Sequence, residues 1–324
     1  MHRAPVTGAP SRRGAGPANP WLVGAGAVAA LGAGAAVWGV GIERYLFAVR
    51  RHELALLPRG AAPLTILHLS DAHMAPWQRY KQSWIARIAD TVQPDLVINT
   101  GDNLGHERGL EGIRRAFAPL RGIPGLYVHG SNDRVGPSAR NPLKYFSGPS
   151  RHGRAAPGID TATMDDFFTH ELGWTDLDNT AATRDVGGLR VDAFGIDDAH
   201  RDWDDIPASL AALERLQDRA AADLTIGVTH APYRRVLDRF TDAGADILFA
   251  GHTHGGQVRI PFSPEALVAN CDIPLDQARG LSAWTHAGRK IPLNVSAGLG
   301  HSIYAPVRFG CRPEVSVLTL RPIG

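Results

Sequence analysis

Five short apolar runs, each followed directly by polar residues, constrain the fold of this chain most strongly. They occupy residues 64–70, 95–100, 125–130, 224–229 and 246–251. Apolar runs of this length, bounded by turn-forming residues, are typical of buried strands in an α/β sheet. Because open α/β sheets bind ligands beyond the carboxyl ends of their strands, we expect the polar residues after the five runs to meet in one crevice.

The residues that follow these runs are of types that bind metal ions. The runs lead into residues 71–73 (Asp-Ala-His), 101–103 (Gly-Asp-Asn), 131–133 (Ser-Asn-Asp), His230 and 251–254 (Gly-His-Thr-His). Carboxylate, imidazole and amide donors without thiolates favour manganese, iron or zinc over copper(I) or an iron–sulfur cluster. The sequence therefore predicts a metal site at the carboxyl edge of the sheet.

The number of candidate ligands exceeds what one metal ion can bind. The candidates are Asp71, His73, Asp102, Asn132, His230, His252 and His254. Two ions bridged by one carboxylate can use all of them, and ions ~3.5–4 Å apart generate hydroxide near neutral pH and clamp a phosphoryl group. The residues predict hydrolysis of a phosphate ester with two metal ions as cofactors, drawn from Mn2+, Fe2+/3+ and Zn2+.

The order of these blocks resembles that of the calcineurin-like metallophosphoesterases, whose motifs are D-x-H, G-D, G-N-H-D/E, a lone His and G-H-x-H. The resemblance covers roughly residues 63–321. It includes a membrane-associated bacterial branch with an N-terminal hydrophobic segment and endings like residues 298–301 and 308–311. The resemblance implies an α/β fold in which two facing mixed β-sheets are flanked by helices, a four-layer αββα sandwich.

The resemblance also implies a role for each candidate ligand. It assigns Asp71, His73 and His254 to one ion, Asn132, His230 and His252 to the second, and Asp102 to the bridge between them. A hydroxide that bridges the two ions would then attack phosphorus in line.

One block departs from the family pattern, in which a catalytic histidine follows the Asn ligand. Residues 130–133 read Gly-Ser-Asn-Asp, so Asn132 is interpreted as the ligand and Asp133 takes the place of the histidine. An alignment on Gly130 would make Ser131 the ligand instead, although a neutral hydroxyl is a poor ligand beside an available amide.

The catalytic acid is therefore an open assignment. Asp133 is one candidate, and His106, His129 and His200 are substitutes for the missing histidine. Asp133 is also suited to orienting a metal ligand without taking part in proton transfer. His68 lies inside an apolar run, which favours a packed core role.

The N-terminal region predicts a membrane anchor. Residues 1–20 are rich in Pro, Gly, Ala and Arg, which indicates a disordered tail. The next 22 residues, 21–42, carry no charge and form a helix of about 33 Å, enough to cross a hydrocarbon core of roughly 30 Å. A secretory signal is the alternative. Residues 43–62 are interpreted as a linker to a phosphoesterase domain at 63–321.

Charge and cysteine content narrow the partners. The net charge is +2, from 34 basic and 32 acidic residues without a basic run, so nucleic acid is not an expected partner. Arginines flank the hydrophobic segment on both sides, and the resemblance favours a domain at the extracytoplasmic face. The oligomeric state is not predicted. Cys271 and Cys311 leave a single disulfide open.

The remaining segments fit alternating helices and strands, with one exception. Helices are predicted at residues 84–92, 111–120, 208–222 and 233–243, and strands at 189–194, 257–260, 291–296 and 314–320. Residues 134–162 lack periodicity and follow a predicted ligand, so we expect them to border the substrate pocket. Arg134 and Lys144 are candidate phosphate contacts there, although loop cations are often simply solvated.

These observations lead to one interpretation with two alternatives. The chain is expected to be a membrane-anchored, binuclear metallophosphoesterase that hydrolyses a phosphodiester or a lipid-linked phosphate. One alternative is a broad phosphomonoesterase. The other is a metal-binding membrane scaffold without catalytic activity, in which Asp133 marks lost chemistry.

Overall fold

Two mixed β-sheets pack face to face, and helices cover the outer face of each. The computed structural model describes residues 19–136 and 159–324. The inner faces meet through fully buried side chains such as Ile66 and Ile98 of one sheet and Ile226 and Phe249 of the other. The predicted αββα sandwich is confirmed.

The first sheet carries three of the predicted strand ends. Its strands are β1 (Ala48–Leu57), β2 (Leu64–Leu69), β3 (Leu96–Asn99), β4 (Gly125–Tyr127), β5 (Thr175–Asp176) and β12 (Glu314–Pro322). They lie in the order β1-β12-β2-β3-β4-β5. Strands β2 to β5 are parallel, so β2, β3 and β4 end at the same edge, while β12 runs antiparallel to β2.

The second sheet carries the other two predicted strand ends. Its strands are β6 (Thr180–Val186), β7 (Leu189–Gly195), β8 (Leu224–Val228), β9 (Ile247–Ala250), β10 (Gly280–His286) and β11 (Arg289–Val295). Their order is β10-β11-β9-β8-β7-β6. The four central strands are parallel, and the antiparallel strands β6 and β10 form the two edges.

Seven α-helices complete the described part of the chain. They are α1 (Pro20–Val37), α2 (Arg79–Val92), α3 (Leu110–Phe117), α4 (Ser131–Arg134), α5 (Thr161–Asp166), α6 (Ile206–Glu214) and α7 (Arg234–Asp242). Buried side chains of α2, α3 and α5 pack on the first sheet, and those of α6 and α7 pack on the second. The predicted interior helices therefore exist, with shifted ends.

The structure differs from the sequence expectations at two places. Residues 43–62, expected to be a linker, contain β1, which pairs in parallel with β12 from Ala48–Glu314 onward. The predicted strand at 257–260 forms only one bridge, between Val258 and Phe309. Both cysteines are free in this structure.

The N-terminal helix stands apart from the core but is fixed to it at its end. Helix α1 continues through a π-helical turn (Trp38–Ile42) and a 3-10 turn (Glu43–Tyr45). The span Val23–Tyr45 is long and apolar enough to cross a membrane, a property that anchors and signal sequences share. Most of the predicted tail, residues 1–18, lies outside the described residues.

Candidate functional site

The ends of five strands bring the predicted ligands together in two adjoining groups. In the first, Nε2 of His73 lies 3.1 Å from Nε2 of His254, which lies 3.6 Å from Oδ1 of Asp71. In the second, Nε2 of His230 lies 3.3 Å from Nδ1 of His252. The two histidines of the G-H-x-H block thus belong to different groups.

Asp102 lies between the two groups. Its Oδ2 atom is 3.5 Å from Nε2 of His73 and 3.6 Å from Nε2 of His230. Asn132 holds this carboxylate from the other side, since its backbone N donates to Oδ1 at 2.8 Å and its Nδ2 to Oδ2 at 2.6 Å. A half-turn of the Asn132 amide exchanges its nitrogen and oxygen, so the same side chain can present a ligand oxygen here.

The backbone is strained where the ligands lie. Left-handed φ angles, uncommon for residues other than glycine, occur at Asp71 (48°), His73 (38°), Asp102 (53°), His252 (66°) and His254 (50°). Each such residue costs about 1–3 kcal/mol and persists only where the surroundings impose it, as at binding sites. The surrounding structure therefore holds the turns that direct these five side chains towards one another.

Small residues let the strand ends approach one another. A Cβ atom at Gly130 would lie 2.3 Å from Oδ1 of Asp102 and 2.7 Å from Cε1 of His230. At Gly251 it would lie 2.0 Å from Oγ of Ser70. Glycine at these positions is therefore required for the ligands to meet.

The charge states of four of the candidate ligands suit metal binding. Burial lowers the pKa of His73 to about 4 and those of His252 and His254 well below the usual value, which keeps these imidazoles neutral. Although burial opposes ionisation, His230, His73 and hydrogen bonds from Asn132 hold the pKa of Asp102 down to about 2. Neutral imidazoles beside an ionised carboxylate are the forms that bind cations.

Asp71 supplies the clearest sign that a cation fits. Its Oδ2 accepts hydrogen bonds from Oγ of Ser70 at 2.5 Å and from N of His252 at 3.0 Å. Its Oδ1 is buried without a hydrogen-bond donor in the described part of the chain, and it faces His73 and His254. A buried carboxylate oxygen in this position needs a positive partner, which a divalent ion would supply.

A hydrogen-bond chain through the core fixes Asp71, and sequence reasoning missed most of it. Nδ2 of Asn294, on β11, lies 2.7 Å from Nδ1 of His68, on β2, and thereby joins the two sheets. Nε2 of His68 lies 3.0 Å from Oγ1 of Thr100, which donates to Oγ of Ser70 at 2.7 Å. Ser70 then donates to Asp71. His68 is the core residue that the sequence indicated.

Arg308 is a second residue without a sequence-derived role. Its guanidinium is fully buried and donates to the backbone oxygen of His254 at 2.9 Å, and it lies 3.2 Å from Nδ1 of the same residue. It also donates to the carbonyls of Gly298 and Gly300. The buried cation therefore fixes one predicted ligand against the loop after β11. In the sequence analysis, residues 308–311 were noted only as part of the resemblance to the membrane-associated branch.

Asp133 lies beside the ligand groups but is used by the backbone. Its Oδ1 accepts from N of Asn103 at 2.7 Å and N of Leu104 at 3.1 Å. Its Oδ2 accepts from N of Gly130 at 3.1 Å and from Nδ2 of Asn103 at 3.3 Å. The side chain is fully buried. This arrangement corresponds to the orienting role left open by the sequence.

Two of the three candidate catalytic histidines, His200 and His106, lie in different surroundings. The His200 ring is 4.4 Å from the His252 ring, centroid to centroid, and its Nδ1 is 2.9 Å from the hydroxyl of Tyr233. His106 packs edge-on against Trp77 at 5.1 Å, and its Nδ1 accepts from the backbone of Arg108. His200 is thus the candidate whose ring packs against a predicted ligand.

Asp198, two residues before His200, is a further residue of the site. It is fully buried, its Oδ1 accepts from N of His200, and its Oδ2 has no hydrogen-bond donor within the described ranges. Although burial opposes the charge, Asp102 and then Asp198 raise the pKa of His230 to about 9. Residues 197–200 (Asp-Asp-Ala-His) follow β7 almost directly, and polar residues after a strand are the sequence signal that could have indicated a role for Asp198.

The predicted phosphate contacts are differently placed. Arg134 donates through Nη2 to Asp178 at 2.6 Å and lies 3.1 Å from Asp197, so two carboxylates already balance its charge. Asp178 and Asp165 also flank His129 at 2.7 Å on either side. Lys144 lies outside the described residues.

Comparison with known proteins agrees with this geometry. A model of the calcineurin-like phosphoesterase family matches residues 64–256. The metallophosphoesterase YkuE of Bacillus subtilis is 26% identical over 91% of this chain and 95% of its own length. The phosphodiesterase YaeI of Escherichia coli is 27% identical, over 85% of this chain and 88% of its own length.

Solved structures resemble this one more distantly. TT1561 of Thermus thermophilus aligns with a TM-score of 0.41 and 11% identity, over 74% of this chain and 91% of that one. The purple acid phosphatase PPD1 of yellow lupin aligns with a TM-score of 0.40 and 14% identity, over 61% of this chain and 39% of that one.

The family match begins at the first residue of β2 and ends just after His254. It therefore contains every strand end that supplies a predicted ligand, and the expected enzyme class, a phosphoric ester hydrolase that depends on metal ions, is confirmed. On these grounds the chain belongs to the calcineurin-like phosphoesterase family.

Proposed function

We propose that this protein is a binuclear metallophosphoesterase that hydrolyses a phosphodiester or lipid-linked phosphate at a membrane. One observation carries the proposal. Two sets of ligand atoms, Asp71/His73/His254 and Asp71/Asp102/His230, each lie within 4.8 Å of one another and share a carboxylate. Two neighbouring donor sets suit two ions better than one.

The proposed ligand assignment is the one that the family resemblance implies. Asp71, His73 and His254 would hold one ion, and Asn132, His230 and His252 would hold the other. Asp102 would serve both ions, and its near-equal distances to His73 and His230, 3.5 and 3.6 Å, support this role. When bound, two divalent ions would activate a water molecule and offset the charge that develops on the phosphate.

The side chains around the ligands have supporting roles in this proposal. His200 is the preferred candidate for protonating the leaving group, because its ring packs against that of His252. Asp133, with its backbone partners, is proposed to position the turns that carry Asp102 and Asn132. His106 remains a lesser candidate.

Two observations support a diester or lipid-linked substrate. The relative YaeI is named a phosphodiesterase, and it covers most of this chain. The π-helical turn that continues the apolar helix α1 also lies beside the site, because Gly39 O accepts from the backbone of Arg308, the residue that contacts His254. An anchored site of this kind would meet phosphate esters at a lipid surface. Anchoring with the domain on the extracytoplasmic side belongs to the same proposal.

The test uses the full chain in detergent, stripped of metal and then supplied with Mn2+. We expect hydrolysis of bis-p-nitrophenyl phosphate to exceed that of p-nitrophenyl phosphate. Asp102→Asn and His252→Gln should lower kcat/KM by about 10²-fold or more, because several kcal/mol of charge stabilisation is lost. His170→Gln is the matched control, since that side chain is 78% exposed.

The possible results separate the alternatives. Faster turnover of the monoester would favour the phosphomonoesterase. No turnover of either ester with any divalent ion would favour the scaffold. Metal analysis of the purified protein counts the ions, and one ion per chain would contradict the binuclear site. Full-length protein in the soluble fraction without N-terminal processing would contradict the anchor.

A further inference from the structure

Exposed hydrophobic side chains are concentrated on one edge of the domain. Among the described residues after Leu46, the large hydrophobic side chains that remain exposed lie at the site edge, where β2, β9 and β11 end, in loops or in the first turn of a helix, with a single exception. The exception is Ile323, which follows β12 at the opposite edge. Scattered exposed hydrophobics are normal on a protein surface, but a one-sided distribution beside a binding site indicates a contact surface.

Five of these residues define what we call the apolar rim. They are Trp77 (62% exposed), Tyr80 (54%), Ile260 (59%), Phe262 (105%) and Tyr304 (53%). Phe262 has a φ of 67°, which a bulky residue rarely adopts. The loop turns tightly here, with N of Ser263 bonded to O of Ile260 at 3.0 Å. The side chain of Phe262 therefore projects fully into solvent at the tip of this loop.

The rim is connected to the end of the apolar helix by hydrogen bonds. N of Arg259 donates to O of Phe309 at 2.8 Å, and N of Arg308 donates to O of Gly39 at 3.1 Å. The carboxylate of Glu43 then accepts from N of Gly310 at 3.0 Å and from N of Cys311 at 2.8 Å. The helix end, the loop at 305–311 and the loop that carries Phe262 therefore form one hydrogen-bonded unit.

We propose that the apolar rim inserts into the surface of a phospholipid bilayer and turns the metal site towards it. The inference rests on the membrane anchor proposed above. A helix that enters the bilayer within hydrogen-bond reach of this unit brings the rim to the same surface. Trp and Tyr are favoured at the headgroup level, and Phe and Ile at the acyl boundary below it. The substrate class that follows is a phosphate ester whose lipid part stays in the bilayer.

The test places an environment-sensitive NBD label at single cysteines in the full chain, reconstituted in phosphatidylcholine–phosphatidylglycerol vesicles. Cys271→Ser removes the partly exposed native thiol, and Cys311 is buried. The label positions are Phe262→Cys in the rim, Val28→Cys on α1 and Lys290→Cys at the start of β11, on the opposite edge. Melting temperatures verify that each variant is folded.

We expect the label at position 262 to show blue-shifted emission and quenching by lipid-borne nitroxides, as at position 28. The label at position 290 should show neither. If the label at position 28 is quenched but the label at position 262 behaves like the one at position 290, the proposal that the rim inserts is overturned. The membrane anchor is then still supported. A shift at 262 that disappears on diluting the protein among vesicles would assign the rim to a second copy of the chain, and would also overturn the proposal. If position 28 stays in water, the anchor fails and the rim proposal with it. None of these readouts depends on catalytic turnover.

Discussion

Replacing Asp133 with asparagine tests whether this residue organises the site or transfers a proton. Its carboxylate joins the turn after β3 to the turn after β4, through the backbone N atoms of Asn103, Leu104 and Gly130. In Asp133→Asn the retained oxygen can still accept from Asn103 and Leu104. The new amide nitrogen only donates, so the donors that met Oδ2 lose their acceptor.

The expected cost follows from these lost contacts. Two donors, N of Gly130 at 3.1 Å and Nδ2 of Asn103 at 3.3 Å, are left facing another donor in a fully buried place. Each unsatisfied buried group costs ~1–3 kcal/mol, and the second contact is already long, so we expect a loss of ~2–4 kcal/mol in the free energy of unfolding. The exposed Asp185→Asn is the control, with a change within ~0.5 kcal/mol.

Two measurements on the same variant separate the roles. Urea unfolding gives the stability, and a pH–rate profile on the soluble diester gives the ionisations that activity requires. We expect lower stability and lower kcat with both limbs of the profile retained. If Asp133→Asn kept its stability and lost one limb of the profile, the backbone role would be refuted and Asp133 would be the proton-transfer group.

Three further predictions concern the site and the core. Gly130→Ala should lose bound metal, measured by elemental analysis, because the new Cβ would lie 2.3 Å from Oδ1 of Asp102; retained metal would contradict the packing argument. Burial lowers the pKa of His68 to about 3, so the stability it contributes is present above pH 6.5 and is lost as the pH falls. Between pH 7 and pH 5 the contribution of His68 to the loss should be about 2 kcal/mol, so by urea unfolding His68→Gln should lose less stability than the parent protein by that amount; an equal loss in both proteins would exclude His68 as a source. Mn2+ at a hundred times its Kd should stabilise the protein by about 2.7 kcal/mol, seen as a rise in Tm. That rise should be reversed by a chelator and strongly reduced in Asp102→Asn; an unchanged rise there would assign the stabilisation to another site.

The central strands could be predicted from sequence because they are buried on both faces. A mainly apolar run such as residues 64–70, bounded by turn-forming residues, is typical of a strand of this kind. Strand β1 could not be predicted, since Arg50, Arg51 and Glu53 interrupt its apolar residues at the edge of the sheet. Edge strands expose polar side chains, and their identity depends on pairing with a distant partner, here β12.

The candidate ligands could be proposed from sequence for a related reason. Each follows a strand, so local order along the chain predicts the position of its backbone at one edge of the sheets. Arg308 and Asn294 could not be proposed in this way, because their roles consist of contacts with His254 and His68, which are distant in sequence. Sequence spacing carries no signal for such contacts.

The residue that replaces the histidine of the G-N-H-D/E block shows that a position in a sequence motif does not determine where the side chain points. Asp133 occupies that place in the sequence, yet helix α4 begins at Ser131 and turns the carboxylate back onto Gly130 and the turn after β3. We therefore expect this carboxylate to fix geometry rather than to move protons, which the Asp133→Asn experiment tests. In the proposed mechanism the proton-transfer role then falls to a side chain from another strand end. His200, which follows β7, packs against His252, and its backbone N donates to the buried Asp198. In this proposal the second sheet therefore supplies the proton-transfer group that the first sheet lacks.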